Sequence, residues 1–207
     1  MLKSLTEDFP SRRAKRMNAK RRTILRAAKA VFLKCGFGGT TMDAVAERAR
    51  VSKMTVYRHF DDKEALFAGV ITEHCEQIGG ENFNALFMKT PQDALREFAH
   101  RMIAIVFAPE TVELHRIVIA ECQRFPKLGR LFYESGPEAS IRALAEYLAR
   151  NKGDPALKVR DPQRSAEEFL ELLRGYAHLR VILGLEKAPT AREISQRVNA
   201  AISHVMV

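Results

Sequence analysis

Residues Thr40 to Leu66 read T-T-M-D-A-V-A-E-R-A-R-V-S-K-M-T-V-Y-R-H-F-D-D-K-E-A-L: two short helical patterns separated by Arg50-Val51-Ser52 and followed at once by a third helix start. That spacing is a helix-turn-helix with its support helix attached. In the first helix Val45, Ala46 and Ala49 fall on one side, Val51 drops into the turn, and Ser52 stands where it can cap the second helix. In the second helix each residue rotates the view by about 100°. Val56 and Phe60 therefore share a face, Met54, Thr55 and Arg58 point away from it, and Tyr57 and His59 lie on the flanks. So short a helix is not stable alone, so its buried side must be held from behind while the opposite side stays open.

An open face of that composition suits the major groove of double-stranded DNA. Arg58 has the planar fork that pairs with guanine O6 and N7, Lys53 does so less geometrically, and Thr55 and Met54 can meet a thymine methyl or a phosphate. Tyr57 and His59 can donate to backbone oxygens, and Lys63 with the N–H groups opening the next helix is expected to form an anion site. A solvated helix hairpin would share the generic pattern, so the rest of the chain must be weighed with it.

The charge sits at the same end. Residues 1–60 carry a net +11 and residues 61–207 a net −2, making up the formal +9 of the 207-residue chain. Basicity confined to one end is the footprint of a nucleic-acid partner rather than of general solubility. The opening S-R-R-A-K-R-M-N-A-K-R-R also suits an anionic membrane surface, but it lacks the apolar face that interfacial helices bury. No apolar run approaches the roughly 20 residues needed to span a bilayer, and the polar N-terminus has no signal-peptide centre. The expected location is the cytoplasm, with no membrane partner. Cys35, Cys75 and Cys122 are odd in number, far apart, and each set in an apolar helical pattern, so they are expected to be core thiols.

The chain divides into a flexible basic arm at 1–18, a helix-turn-helix domain at 19–62, and a second helical domain at 63–207. The first helix is expected over 19–35, closed by Gly36. Later helices are expected at about 62–78, 91–107, 110–124, 137–151, 162–185 and 190–206, with breaks at prolines and glycines and no strictly alternating strand pattern. The reading is all-α, about nine helices.

S-K-M-T-V-Y-R-H-F-D-D-K-E-A-L and the preceding G-F-G-G-T-T-M-D-A-V-A-E-R-A resemble the DNA-binding domain of TetR-family transcriptional regulators, over about residues 19–70. The resemblance implies that Lys53, Met54, Tyr57 and Arg58 approach bases and that Thr41, Thr55, His59 and Lys63 hold phosphates. Arg50 departs from the family, which has Gly in that turn; it should cost about 1 kcal/mol if the left-handed geometry is kept, and it adds a candidate phosphate contact. Downstream, R-I-V-I-A-E-C-Q-R-F-P-K-L-G-R-L-F-Y-E-S-G-P resembles the C-terminal domain of the AefR-like subgroup. That implies a helical domain that dimerises and encloses an effector pocket.

The last two helices carry more apolar positions than one outer face of a monomer holds. Leu172, Tyr176, Leu179, Ile182 and Leu183, with Ile194, Val198 and Ile202, are the expected homodimer interface. Two recognition helices would then read a palindrome about 34 Å apart or somewhat more. For the pocket, Phe83, Phe87, Met102, Ile103, Val106, Phe107, Ile119, Cys122 and Phe169 can line an apolar cavity, with His100, His115 or Tyr147 as polar anchors. The domain has no large charge excess, so the unknown small-molecule effector is expected to be mostly apolar.

Other classes fare worse. Glu97-Phe98-Ala99-His100 has a di-iron spacing without the second copy such a site requires. Gly36-Phe37-Gly38-Gly39 follows a helix rather than a strand, so it is no dinucleotide loop. No enzyme, cofactor or metal is expected. A non-specific architectural DNA protein without effector is the alternative to a repressor.

Overall fold

The computed structural model describes residues 12–79 and 89–207. Its helices are α1 (Arg12–Gly39), α2 (Met42–Ala49), α3 (Lys53–Tyr57), α4 (Lys63–Gly79), α5 (Pro91–Val106), α6 (Pro109–Glu121), α7 (Pro126–Tyr133), α8 (Ala139–Arg150), α9 (Pro162–Ile182) and α10 (Ala191–Val205). A π turn at Glu134–Glu138 joins α7 to α8 without a break, which makes nine helical rods among the described residues. These residues contain no strand, only an isolated bridge between Leu157 and Met206. The expected all-α architecture is what forms.

Local chemistry sets most boundaries. Thr41, Ser52 and Thr90 accept N–H bonds from Ala44, Thr55 and Asp93 at the starts of α2, α3 and α5. Thr190 and Glu193 close a reciprocal capping box on α10. Proline occupies the first turn of α5, α6, α7 and α9, where its missing N–H removes no helical bond.

Three expectations change. Helix α1 begins at Arg12, inside the stretch read as a flexible arm. Gly36 does leave helical geometry, at φ 71° and ψ 178°, but the chain winds on to Gly39. Pro126 opens a helix where only a break was expected, and Gly136-Pro137 ends nothing. A proline inside an α-helix removes one hydrogen bond and crowds the carbonyl four residues back; the wider π turn accommodates it.

Two cores form. The first gathers Ile24, Phe32 and Phe37 of α1, Val45 of α2, Val56 of α3 and Phe67 of α4, and extends to Leu114 and Val118 of α6. Phe37 contacts Phe32, Phe67 and Phe125 with ring centroids 5.1–5.9 Å apart. The reading head is therefore completed by side chains well past residue 62. The second core is built by α5, α8, α9 and α10, with Phe98 against Phe169 at 6.2 Å.

Candidate nucleic-acid interface and the cavity behind it

Helix α3 is seated by Val56, fully buried, and Phe60, 4 % exposed. Lys53, Met54, Tyr57 and Arg58 all stand exposed on its far side, Met54 at 77 %. Thr55 is half-buried, its hydroxyl 2.8 Å from that of Ser52. Lys53 pairs with Asp43 of α2 at 2.9 Å, and that hydrogen bond raises its pKa. Thr41, exposed, spends its hydroxyl on the α2 cap.

Arg50 takes the left-handed conformation, φ 54° and ψ 45°, so the family geometry is kept without glycine. The Val51 and Arg50 N–H groups reach back to the Ala46 and Glu47 carbonyls, each at 3.0 Å, the pairing that such a turn requires. His59 is half-buried, its Nε2 shielded and without a hydrogen-bond partner. Its pKa is lowered first by burial, then by the charges of Arg58, Arg21 and Lys20. That cationic field is one a phosphate oxygen would relieve.

Lys63 differs from expectation. Its ammonium donates to the Phe37 carbonyl at 2.8 Å and lies over the Phe37 and Phe125 rings. The Ala65 N–H at the start of α4 is taken by Asp62 at 2.7 Å. An aromatic surface and two carbonyls at the end of α1 hold this cation.

Behind the reading head lies a cavity of about 550 Å³ between α4, α5, α6, the π turn and α9. Met102, Ile103, Val106, Phe107 and His115 line it, as expected. Five expected residues do not. Ile119 is 59 % exposed, because the opposite side of α6 carries the packing residues Leu114 and Val118. Cys122 packs on the first core, while Tyr147 and Phe169 are filled into the second. Phe83 and Phe87 lie outside the described residues. His100 is exposed, and its neighbour Glu97 is taken by Lys89 and Arg101 at 2.5 Å each.

The cavity's polar groups include those of α4 and α6, and Glu167, Glu171 and Arg174 of α9. His74 Nε2 meets the Thr111 hydroxyl at 2.8 Å, and His115 Nδ1 meets the Thr111 carbonyl at 3.2 Å. The His115 ring stands 4.4 Å from Phe132 and 4.9 Å from His178. Burial first, then the charge of His178, pushes His115 down to about 4. Burial and then Arg174 do the same to His178. Burial also lowers His74, followed by the charge of Lys29.

Sequence reading missed α6 as a hub. Glu110 at its start pairs with Lys29 of α1 at 3.1 Å. Arg116 in its middle donates to the Ile182 and Val181 carbonyls at the end of α9, at 2.8 and 3.0 Å. Glu121 at its end accepts the Phe37 and Gly38 N–H groups, each at 2.5 Å. The Gly36-Phe37-Gly38 stretch carried the signal: an added Cβ at Gly36 or Gly38 would come within 2.5 or 2.8 Å of that carboxylate.

The expected dimer face divides in two. Leu172, Tyr176, Leu179 and Leu183 form an exposed stripe on α9, Tyr176 at 79 %, joined by Leu185. Val198 and Ile202 are buried in the second core, and Ile182 and Ile194 pack against it. The apolar side of α10 is consumed by α5 and α9, which leaves Ser195, Gln196, Asn199, Ala200 and Ser203 outward.

A cationic α3 held out from a helical body with an internal cavity defines a helix-turn-helix DNA-binding regulator. Residues 24–70 match the bacterial tetR-family regulatory domain, and residues 93–207 match the C-terminal domain of AefR-like transcriptional repressors. The chain belongs to the TetR family of transcriptional regulators and is not an enzyme. The solved structure of the flavonoid-responsive regulator FrrA is 39 % identical, with a TM-score of 0.71, covering 90 % of this chain and 94 % of that one. A TetR-family structure from Mesorhizobium loti is 27 % identical with a TM-score of 0.75, covering 93 % and 99 %. The HTH-type regulator YhgD of Bacillus subtilis is 27 % identical over 157 residues, 74 % of this chain and 80 % of that protein. No described helix is long and apolar enough to cross a membrane.

Proposed function

We propose that the chain is a cytoplasmic homodimeric repressor that reads a palindromic operator with α3 and is released by a small-molecule effector. The observation that carries this is the solvent-facing row of Lys53, Met54, Tyr57 and Arg58 on a helix anchored by Val56 and Phe60. The α9 stripe is the proposed dimer seam: beyond the kink at Gly175, where φ is 49°, Tyr176, Leu179 and Leu183 follow at three and four residues and keep one face toward a partner helix. The cavity is the proposed effector site. Similarity to FrrA, described as flavonoid-responsive, supports a small-molecule trigger.

Helix α6 is the proposed transmitter, with α4 beside it. It faces the cavity through Thr111, Leu114 and His115, grips α9 through Arg116, and holds α1 at both ends. An effector that shifts α6 changes the spacing of the reading heads, provided it binds the shifted state more tightly.

Selecting bound duplexes from a random pool tests the reading. A palindrome should emerge, preferred at least about 10³-fold over random DNA, with a log-log salt slope of roughly −5 to −9. Arg58→Ala should relax one position per half-site at a cost of about 1–3 kcal/mol. Uniform loss on every sequence would instead describe a non-specific DNA-coating protein.

A further inference from the structure

We propose that the cavity beside α6 takes an uncharged, hydroxylated aromatic molecule of two or three rings, and that His115 Nε2 accepts a hydrogen bond from one of its hydroxyls. This deepens, and rests on, the effector-responsive reading above.

The polarity follows from one contact. The Thr111 carbonyl is acceptor-only, so His115 Nδ1, 3.2 Å away, must carry the ring proton. A neutral imidazole with its proton on Nδ1 has a bare lone pair on Nε2. His115 lines the cavity, so the group it asks of a ligand is a donor. An O–H of a phenol supplies that donor at the edge of an apolar aromatic ring.

The charge follows from the walls. Among the described residues Arg174 is the only Lys or Arg lining the cavity; Glu171 already pairs with it, and Glu167 lines the same wall one turn earlier on α9. An anionic ligand meets two carboxylates and one spoken-for guanidinium. A cationic ligand pressed inward meets imidazoles that burial keeps from protonating, among Met102, Ile103 and Leu114, with no buried carboxylate among the described lining residues to balance it.

The shape follows from the aromatic surround. Phe132 and His178 stand edge-on to His115, and Phe107 is edge-on to His178 at 5.7 Å. Such rings favour another flat ring in edge or offset contact. His178 Nε2, buried and without a hydrogen-bond partner, adds a second unmet polar atom to this group. About 550 Å³ suits a ligand of two or three rings.

Isothermal titration of the full-length protein at pH 6.5 tests this with three probes: the flavanone naringenin, its fully O-methylated analogue, and anionic p-coumarate. Naringenin should bind, with the other two at least tenfold weaker. His115→Phe should erase the preference for naringenin over its methyl ether, and His115→Gln, whose amide oxygen accepts, should retain part of it. Thermal melting of each variant confirms folding. Equal affinity for naringenin and its ether, or a preference that survives His115→Phe, overturns the role of His115. Tighter p-coumarate binding overturns the uncharged ligand. No naringenin binding by a protein that still selects a palindrome discards the ligand class alone, whereas failure to select any duplex strikes the regulator reading itself.

Discussion

Replacing Glu121 by alanine removes the carboxylate that clasps α6 to the corner between α1 and α2. Two N–H groups lose their acceptor at once, those of Phe37 and Gly38, both held at 2.5 Å. A hydrogen bond to a charged acceptor contributes about 1.5–3 kcal/mol. Glu121 is only half-buried, and water can partly replace it, so a total loss of ~2–4 kcal/mol is expected. Equilibrium urea unfolding at fixed protein concentration measures the loss, because a dimer's midpoint depends on concentration. Hydrogen exchange localises it: the Phe37 and Gly38 amides should lose protection before the α9 amides do. A double-mutant cycle sharpens the point. Gly38→Ala places a Cβ 2.8 Å from Glu121 Oε2, so its cost should shrink in the Glu121→Ala background. A loss below about 0.5 kcal/mol, with unchanged protection and additive mutations, would refute the clasp.

Arg50→Gly relieves a left-handed residue and should stabilise the chain by ~0.5–1 kcal/mol, read as a higher unfolding midpoint; a lower one would mean that the Arg50 side chain holds the turn. Lowering the pH should destabilise the cavity region. His115 and His178 sit near 4 when folded against 6.5 ordinarily, so the unfolded chain takes up protons that the folded one refuses. Their contribution is full above pH 6.5 and is lost as pH falls toward 4, by ~2–3 kcal/mol for one imidazole and less than twice that for the touching pair. A His115→Gln, His178→Gln double variant should lose that slope in urea titrations at pH 7 and 4.5, and an unchanged slope would assign it to other groups. Leu183→Glu buries a carboxylate in the proposed dimer seam, and sedimentation at micromolar concentration should then find single chains; a persistent dimer would move the seam off α9.

The reading head was legible because its signals are local. Val56 and Phe60 are four residues apart, Ser52 and Thr55 three, and Arg50 adjoins the helix it closes; helical period, caps and turn geometry act over that range. The contacts of Lys63 were not legible because its partners, Phe37 and Gly38, lie 26 and 25 residues back along the chain.

The sequence alone determined that the chain is all-helical, that its basic end presents a helix-turn-helix, and that its last two helices are rich in apolar positions. Tertiary structure decided which apolar side chains went where. Val198 and Ile202 turned into the core while Leu172 and Leu183 stayed out, Ile119 faced solvent rather than cavity, and Glu121 found amides 83 and 84 residues away. Periodicity shows that a helix has an apolar side, but the neighbour that side meets depends on the rotation and packing of whole helices, a property of their contacts rather than of any one segment.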